Sequence, residues 1–463
     1  MNKPAGSSPV RRAYIVSLGC SKNRVDTEIM LGQLFRAGYR ITGTLSQADA
    51  VIVNTCGFLQ ESVNEALSEL AALARRKEKT GFRLVVTGCL VQRMGKGLLR
   101  DIPEIDALVG VHGYQDIVSA VTGKKRLSVS KTACDYSTAF YNNRILTTGP
   151  GWAYLRIADG CDNNCSYCLI PKIRGRFRSR RISDIVAEAK ILASKGVKEI
   201  NLIAQDTTNY GLDVYGERRL GELLQRLEKI KGLEWVRLLY THPAHYDQKL
   251  IRAIKQCSRA VKYLDIPLQH SETRVLKAMN RGIDRTRTES LISELRKELP
   301  GLAIRTTFMT GFPGETKTEF RSLLDFVSRQ KFEKLGAFAF SPEPGTKASR
   351  LSKQAGDPIK QHRFHELMVL QSKISGRCNR SRIGQSCSIL VEGPVIKGSR
   401  HPCKKGYSYY GRSFAEAPEV DGKVFIKTGQ MLDPGSIVSV KIDRAWTYDL
   451  GGTLIDEQDR TLC

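Results

Sequence analysis

Cys161, Cys165 and Cys168 stand in the stretch DGCDNNCSYCLIPKIRGRFRSRR, which begins at Asp159, with the spacing C-x3-C-x2-C. A structural zinc takes four ligands, usually as two spaced pairs of Cys or His. Nothing nearby offers a fourth, since the next histidine is His242 and the next cysteine is Cys257. A cubane 4Fe-4S cluster has four irons, so three thiolates leave one iron open to an outside ligand. An open iron is the chemistry this spacing permits; a zinc knuckle or chance spacing is the competing reading.

Three more cysteines occupy matching contexts upstream: AYIVSLGC ends at Cys20, ADAVIVNTC at Cys56 and FRLVVTGC at Cys89. Each closes an apolar run of strand length, and helix-like segments such as DTEIMLGQLFRAG and ESVNEALSELAALARRK follow. Such a βα repeat predicts parallel, buried strands. Ligands of open α/β sheets bind at the carboxyl ends of the strands, so the three thiols are expected to meet at one edge. One cysteine at a strand end is usually a small buried apolar residue, but three in register argue for a second cluster, again with an open iron. Cys134, Cys257, Cys378, Cys387, Cys403 and Cys463 share no such pattern and are read as structural or incidental.

The elements that must position the first trio follow it. WAYLRIAD, EINLIAQ, WVRLLY, YLDIPLQ, AIRTTFMTGF and EKLGAFAF alternate with helix-like segments, which implies βα units and a parallel sheet. Six units between about residues 150 and 345 fit a partial (β/α)6 barrel, whose functional residues are expected just past the strand carboxyl ends. Candidates there are Gln205 and Asp206 in LIAQDTTNYG, Gln269 and His270 in IPLQH, and the GFPGET turn from Gly311 to Thr316; Tyr167 and Arg305 join them as possible cofactor contacts. GFPGETKT is not a phosphate loop, because that pattern needs glycine where Thr316 stands. The basic run Lys172–Arg181, with six Lys or Arg in ten residues, makes Arg174 and Arg176 candidate catalytic residues that guide an anionic group. Beyond the basic helical segment IKQHRFHELMVLQSKISGRCNRSRIGQ, the short runs SCSILVEG, GKVFIKTG and GSIVSVKIDRAW predict a small OB-like barrel.

Composition sets outer limits. The 463 residues are enough for about three domains. The start MNKPAGSSPVRR has no apolar signal-peptide core, and no apolar run is long enough to span a bilayer. A cytoplasmic protein with no membrane association is therefore expected, and its 12 cysteines are expected to be reduced. The net charge of +26 favours an anionic partner such as RNA or a ribonucleoprotein, although a generally basic proteome leaves the same excess. The end of the chain departs from this: from Arg412 to Cys463, nine acids (Glu416, Glu419, Asp421, Asp433, Asp443, Asp449, Asp456, Glu457 and Asp459) stand against six bases. Acids repel a phosphate backbone, so a basic protein is the better expected partner for this end.

The C-x3-C-x2-C motif, with Tyr167 before its last cysteine, resembles the radical S-adenosylmethionine (SAM) superfamily. Two three-thiolate sites in this order, with SLGCSKN around Cys20, resemble the methylthiotransferases over nearly the whole chain. Ser21 stands where proline is common in that family. The resemblance implies an N-terminal α/β domain with an auxiliary 4Fe-4S cluster at 10–130, a linker at 131–148, a radical-SAM core at 149–376 and a TRAM domain at 380–455. It implies two 4Fe-4S clusters, with SAM as both methyl donor and radical source. One SAM gives its methyl group to sulfide at the open iron of the Cys20, Cys56, Cys89 cluster, and another yields a 5'-deoxyadenosyl radical at the Cys161, Cys165, Cys168 cluster. An electron donor such as flavodoxin or ferredoxin and a sulfur source are further implied partners. GRSFAEAPEVDG (Gly411–Gly422), PLQH and AQDTTNYG resemble the RimO type, which modifies the β-carbon of an aspartate in ribosomal protein S-twelve of the small subunit. The MiaB type, which acts on a tRNA adenosine beside the anticodon, is the alternative; a non-catalytic iron-sulfur RNA-binding protein is a third reading.

Overall fold

The computed structural model describes residues 11–130, 141–396 and 405–455. Cys134, Cys403, Cys463, Asp456, Glu457, Asp459 and most of the expected linker lie outside the described residues. The chain divides into two units.

The first unit takes the described residues up to Thr147 together with Asp159–Asn163 and Cys168–Arg180. Its six-stranded sheet comprises β1 (Arg12–Ser17), β2 (Arg40–Ile41), β3 (Ala50–Thr55), β4 (Arg83–Gly88), β5 (Ala107–Gly110) and β6 (Leu127–Ser128), in the order β2-β1-β3-β4-β5-β6. Every pairing is parallel. Strand residues alternate between two cores. Val51, Val53, Leu84 and Val86 pack with Val63, Ala66, Leu70 and Leu73 of helix α2 (Gln60–Thr80), whereas Ile52 and Val85 pack with Met30 and Leu34 of helix α1 (Ser21–Arg36). The α1 and α2 crossovers thus cover opposite faces, and the strand order reverses between β1 and β3. That reversal is a topological switch point, the place where such a sheet opens a crevice at its carboxyl edge.

The second unit holds Thr148–Ala158, Asn164–Tyr167 and the chain from Arg181 onward. All six expected strands form there: β7 (Trp152–Arg156), β10 (Glu199–Ile203), β11 (Trp235–Leu238), β12 (Ala260–Asp265), β13 (Ala303–Thr310) and β14 (Lys334–Ala339). They pair in parallel in chain order from β14 to β7, as an open, partial βα barrel does. The short strands β8 (Ala158–Asp159) and β9 (Arg178–Ser179), whose residues other than Ala158 belong to the first unit, form a separate two-stranded sheet. A helix over Asp357–Arg380 continues to a closed five-stranded barrel of β15 (Ser386–Pro394), β16 (Tyr409–Arg412), β17 (Val424–Lys427), β18 (Ile437–Ala445) and β19 (Leu450–Leu454).

The segment Ser413–Asp421 between β16 and β17 corrects the expectation for the acidic end. Glu416 is buried and bonded to Arg382 Nη1 at 2.7 Å, with Lys334 Nζ at 3.4 Å. Burial alone would raise its carboxyl, but Arg382 and Lys334 outweigh that and hold it below the ordinary range. Glu419 accepts from Tyr154 Oη at 3.0 Å, and Asp421 accepts from Tyr263 Oη at 2.7 Å. Glu416 and Asp421 are therefore internal partners of other elements of this unit, whereas Glu419, though bonded to Tyr154, stays exposed. Next to them, Glu199, which is 0% exposed, receives both Arg237 Nε at 2.7 Å and Arg412 Nη2 at 2.6 Å. Such a carboxylate is tolerable in the interior only with charged partners.

Candidate functional site

Within the first unit, Cys20 is the residue before α1, Cys56 follows β3, and Cys89 begins a short helix, α3 (Cys89–Met94), directly after β4. Cys20 and Cys56 thus flank the switch point. Gly19 has φ +99°, and a Cβ there would lie 2.9 Å from Cys56 Cβ, so only glycine lets the two loops come this close. Asn23 draws in the third: its Oδ1 is 3.6 Å from Cys89 Sγ and 4.0 Å from Cys20 Sγ. Its Nδ2 donates to Leu18 O at 3.1 Å and Thr55 O at 3.0 Å, which ties the loops before Cys20 and Cys56 to one side chain. Burial pushes the Cys56 thiol up and the Cys89 thiol up to about 12. Thiols held protonated this strongly would have to release their protons to any metal that bound them.

The chemistry of this donor set fits an iron-sulfur cube. Among the described residues, no three or more His, Cys, Asp or Glu are grouped as ligands of a single ion. Thiols drawn from three loops suit a cluster that spreads its ligands over several metal atoms.

The same unit holds part of the C-x3-C-x2-C segment. Cys161 N donates to Gly175 O at 3.1 Å, and Cys168 Sγ accepts from Ile170 N at 3.4 Å. Leu169 and Ile173 form a small apolar cluster with Cys89 and Val111. The two arginine candidates separate here. Arg174 is 1% exposed and bonded to Asn23, Asp26 and Asp159. Arg176 is 92% exposed, with Asp162 at 3.6 Å as its one ion-pair partner among the described residues. Arg176 remains where it can guide an incoming anion; Arg174 does not meet solvent.

In the second unit, Cys165 Sγ accepts from Arg281 Nη1 at 3.5 Å, and Arg281 Nη2 donates to Pro267 O at 2.6 Å. Burial disfavours that guanidinium charge, but Tyr167 and Cys165 outweigh it and hold it above its ordinary range. Tyr167 packs beside Val275, Met279, Phe312 and Phe340. Gln205 and Asp206 follow β10 directly, as the barrel rule requires. Asp206 accepts from Thr208 Oγ1 at 2.5 Å and Asn209 Nδ2 at 3.0 Å, and His245 Nδ1 lies 2.8 Å away. Burial opposes this carboxylate, but the bond from His245 leads the groups that bring it down to about 2. Gln269 has φ +72° and bridges to β13 through Thr307 O and Met309 N, each at 2.8 Å.

Asp206 and Gln269 stand at the carboxyl edge, but Arg305 does not join them. It lies early in β13, and Asp265 and Asp421 take its guanidinium at 3.0 and 3.7 Å. Gly311 N donates to Glu315 Oε2, so the GFPGET turn is held from within. Two buried polar atoms, Gln269 Oε1 and Arg281 Nε, have no hydrogen-bond partner among the described residues. The donor left open on Arg281, which also bonds Cys165, and the acceptor left open on Gln269 suit the carboxylate and the amino or hydroxyl groups of SAM. Sequence reasoning missed His242 and His245, whose rings stack at 4.5 Å, although THPAH directly follows the apolar run WVRLLY that marks β11 and the strand-end rule would have found it. Asn23 closes the stretch SLGCSKN, where nothing local marks it, because its bonds run to Thr55 and Arg174.

Three family models match the chain: Uncharacterized protein family UPF0004 at residues 12–110, Radical SAM superfamily at 155–327 and TRAM domain at 383–455. A protein from Desulforamulus reducens named ribosomal protein uS12 methylthiotransferase RimO is 46% identical over 445 residues, covering 95% of this chain and 98% of its own. One of the same name from Acetivibrio thermocellus is 41% identical over 459 residues, covering 97% and 100%. The solved structure of the radical S-adenosylmethionine methyltransferase TsrM from Kitasatospora setae, with cobalamin and a [4Fe-4S] cluster bound, gives a TM-score of 0.52 at 14% identity, covering 71% of this chain and 72% of that one. At that identity the likeness shows a shared fold alone.

Proposed function

Because the chain belongs to the family of ribosomal protein uS12 methylthiotransferases, we propose that it adds a methylthio group to the β-carbon of an aspartate in ribosomal protein S-twelve by radical SAM chemistry. The observation that carries this reading is the identity above 40% to RimO proteins across 95% or more of both chains. It outweighs the tRNA alternative, which rested on net charge.

Cys161, Cys165 and Cys168 would hold the cluster that binds SAM, and Cys20, Cys56 and Cys89 the auxiliary one. When bound, these groups and SAM supply a carbon-centred radical and the methylthio group. The chain's own residues then bind and orient. Arg281 donates to Cys165 Sγ and so orients it. Asp206, fixed by Thr208, Asn209 and His245, offers a carboxylate of set direction. Gln269 presents a buried acceptor with water kept away. Proposed boundaries are 10–130, 131–148, 149–376 and 380–455, and the family matches fall within them. A cytoplasmic location follows from a ribosomal substrate, and a flavodoxin- or ferredoxin-like donor and a sulfur source complete the partners.

The test is an anaerobic competition in which reconstituted protein, reductant and SAM meet equal amounts of ribosomal protein S-twelve and unmodified tRNA. Mass spectrometry is expected to find one methylthio group on an aspartate of the protein. Methylthiolation of adenosine instead would overturn the substrate assignment.

A further inference from the structure

A buried charge network of the first unit lies against the Cys20, Cys56, Cys89 trio. Arg174 Nη1 reaches both oxygens of Asp159, at 3.3 and 3.2 Å, and Nη2 donates to Asp26 Oδ2 at 2.9 Å and Asn23 Oδ1 at 2.8 Å. All four residues are at most 2% exposed. The Asn23 oxygen that takes the Arg174 proton is the same atom that faces the Cys89 and Cys20 sulfurs. Its amide nitrogen is fixed by Leu18 O and Thr55 O, and Asn54 Nδ2 holds the Asn23 backbone oxygen at 2.7 Å. The Asn23 side chain therefore has one orientation, with its oxygen toward the thiols and a guanidinium behind it.

We propose that Asn23 and Arg174 are positioning residues of the auxiliary site: Asn23 fixes the loops that carry the three thiols, and Arg174 holds Asn23 and sets the reduction potential of the cluster bound there. The inference rests on the two-cluster reading above. A cluster gains one negative charge when it takes an electron from a reductant. A buried cation stabilises that form, because water does not screen it. Asp26 and Asp159 act in the opposite sense, so the potential reflects the balance of the three. A purely structural role for the network would leave the potential where it is. Iron-sulfur potentials do respond to nearby charge and hydrogen bonds.

The experiment uses the full chain with Cys161, Cys165 and Cys168 replaced by alanine, reconstituted with iron and sulfide, so that only the auxiliary site can hold a cluster. Its midpoint potential is read by electron paramagnetic resonance during a dithionite titration. Arg174→Gln is expected to move the midpoint to lower potential, and Asp26→Asn, which keeps the shape and the acceptor, to higher potential. Arg174→Lys keeps the charge and loses the fork to Asn23, so its midpoint is expected to stay near the parent's while a chelator strips its iron faster. Asp26→Asn serves if Arg174→Gln does not fold. Clusters present with unmoved midpoints in Arg174→Gln and Asp26→Asn overturn the inference alone. A parent that binds no cluster sinks the two-cluster reading, and this inference with it.

Discussion

His270 lies fully buried five residues past the end of β12, with its Nδ1 accepting from Glu272 N at 3.0 Å. Burial chiefly, with Arg274, Arg363 and Arg285 nearby and Glu319 opposing, lowers it to about 3. Its folded value thus lies below its unfolded value of about 6.5. Below pH ~6.5 the unfolded chain binds a proton that the folded chain refuses, so stability falls as pH drops from there toward the folded value. The slope is about 1.4 kcal/mol per pH unit for this one proton. His112, brought down to about 4 mainly by burial, adds in the same sense. The urea midpoint is therefore expected to be lower at pH 5.5 than at pH 7, and His270→Gln to shrink the difference. Equal shifts in parent and variant would show that the histidine is not kept neutral.

At the scale of elements, the strands that carry chemistry were legible and their order was not. Apolar runs ending in cysteine marked β1, β3 and β4, and β-branched runs marked all six strands of the parallel barrel. The strands β2 and β6 have two residues each, too few for any period, and β16 and β19 carry glycines that look like turns. The switch between β1 and β3 explains why Cys20 and Cys56 converge, and no local pattern encodes it because it depends on which face each crossover takes. The loop before Cys161 shows what such placement demands. Gly160 has φ +78°, and a Cβ there would lie 2.0 Å from Arg176 O. Gly160→Ala is expected to cost more than the roughly 1–2 kcal/mol of the left-handed backbone alone. It should also lower the iron retained per chain, while the same chain lacking Cys161, Cys165 and Cys168 loses none. Unchanged iron in Gly160→Ala would mean that this turn does not set the motif.

Across the second unit, Glu416 and Asp421 were legible as charge and misread as surface, because their burial is decided by residues from 34 to 158 positions away in the chain. Arg412 is the connecting residue: it pairs with Glu392 within its own barrel at 2.6 Å and with Glu199 of β10 at 2.6 Å. Burial alone would raise Glu199, but Arg412 and Arg237 hold it below the ordinary carboxylate range. Arg412→Met would leave Glu199 half-compensated in the interior, and breaking such a buried pair typically costs about 3–5 kcal/mol. Calorimetry is expected to show a lower midpoint for the transition that contains the parallel sheet, although the substitution sits in the small barrel. A shift confined to a separate small-barrel transition would refute that coupling.

The inward course of Ser413–Asp421 also bears on how the gene can be recombined. A small C-terminal barrel taken from a homologue would bring its own β16–β17 connection to meet Tyr154, Tyr263, Lys334 and Arg305 of the recipient. Exchanges that keep this connection matched to its host strands should yield folded hybrids, and exchanges at the family boundary near residue 383 should not.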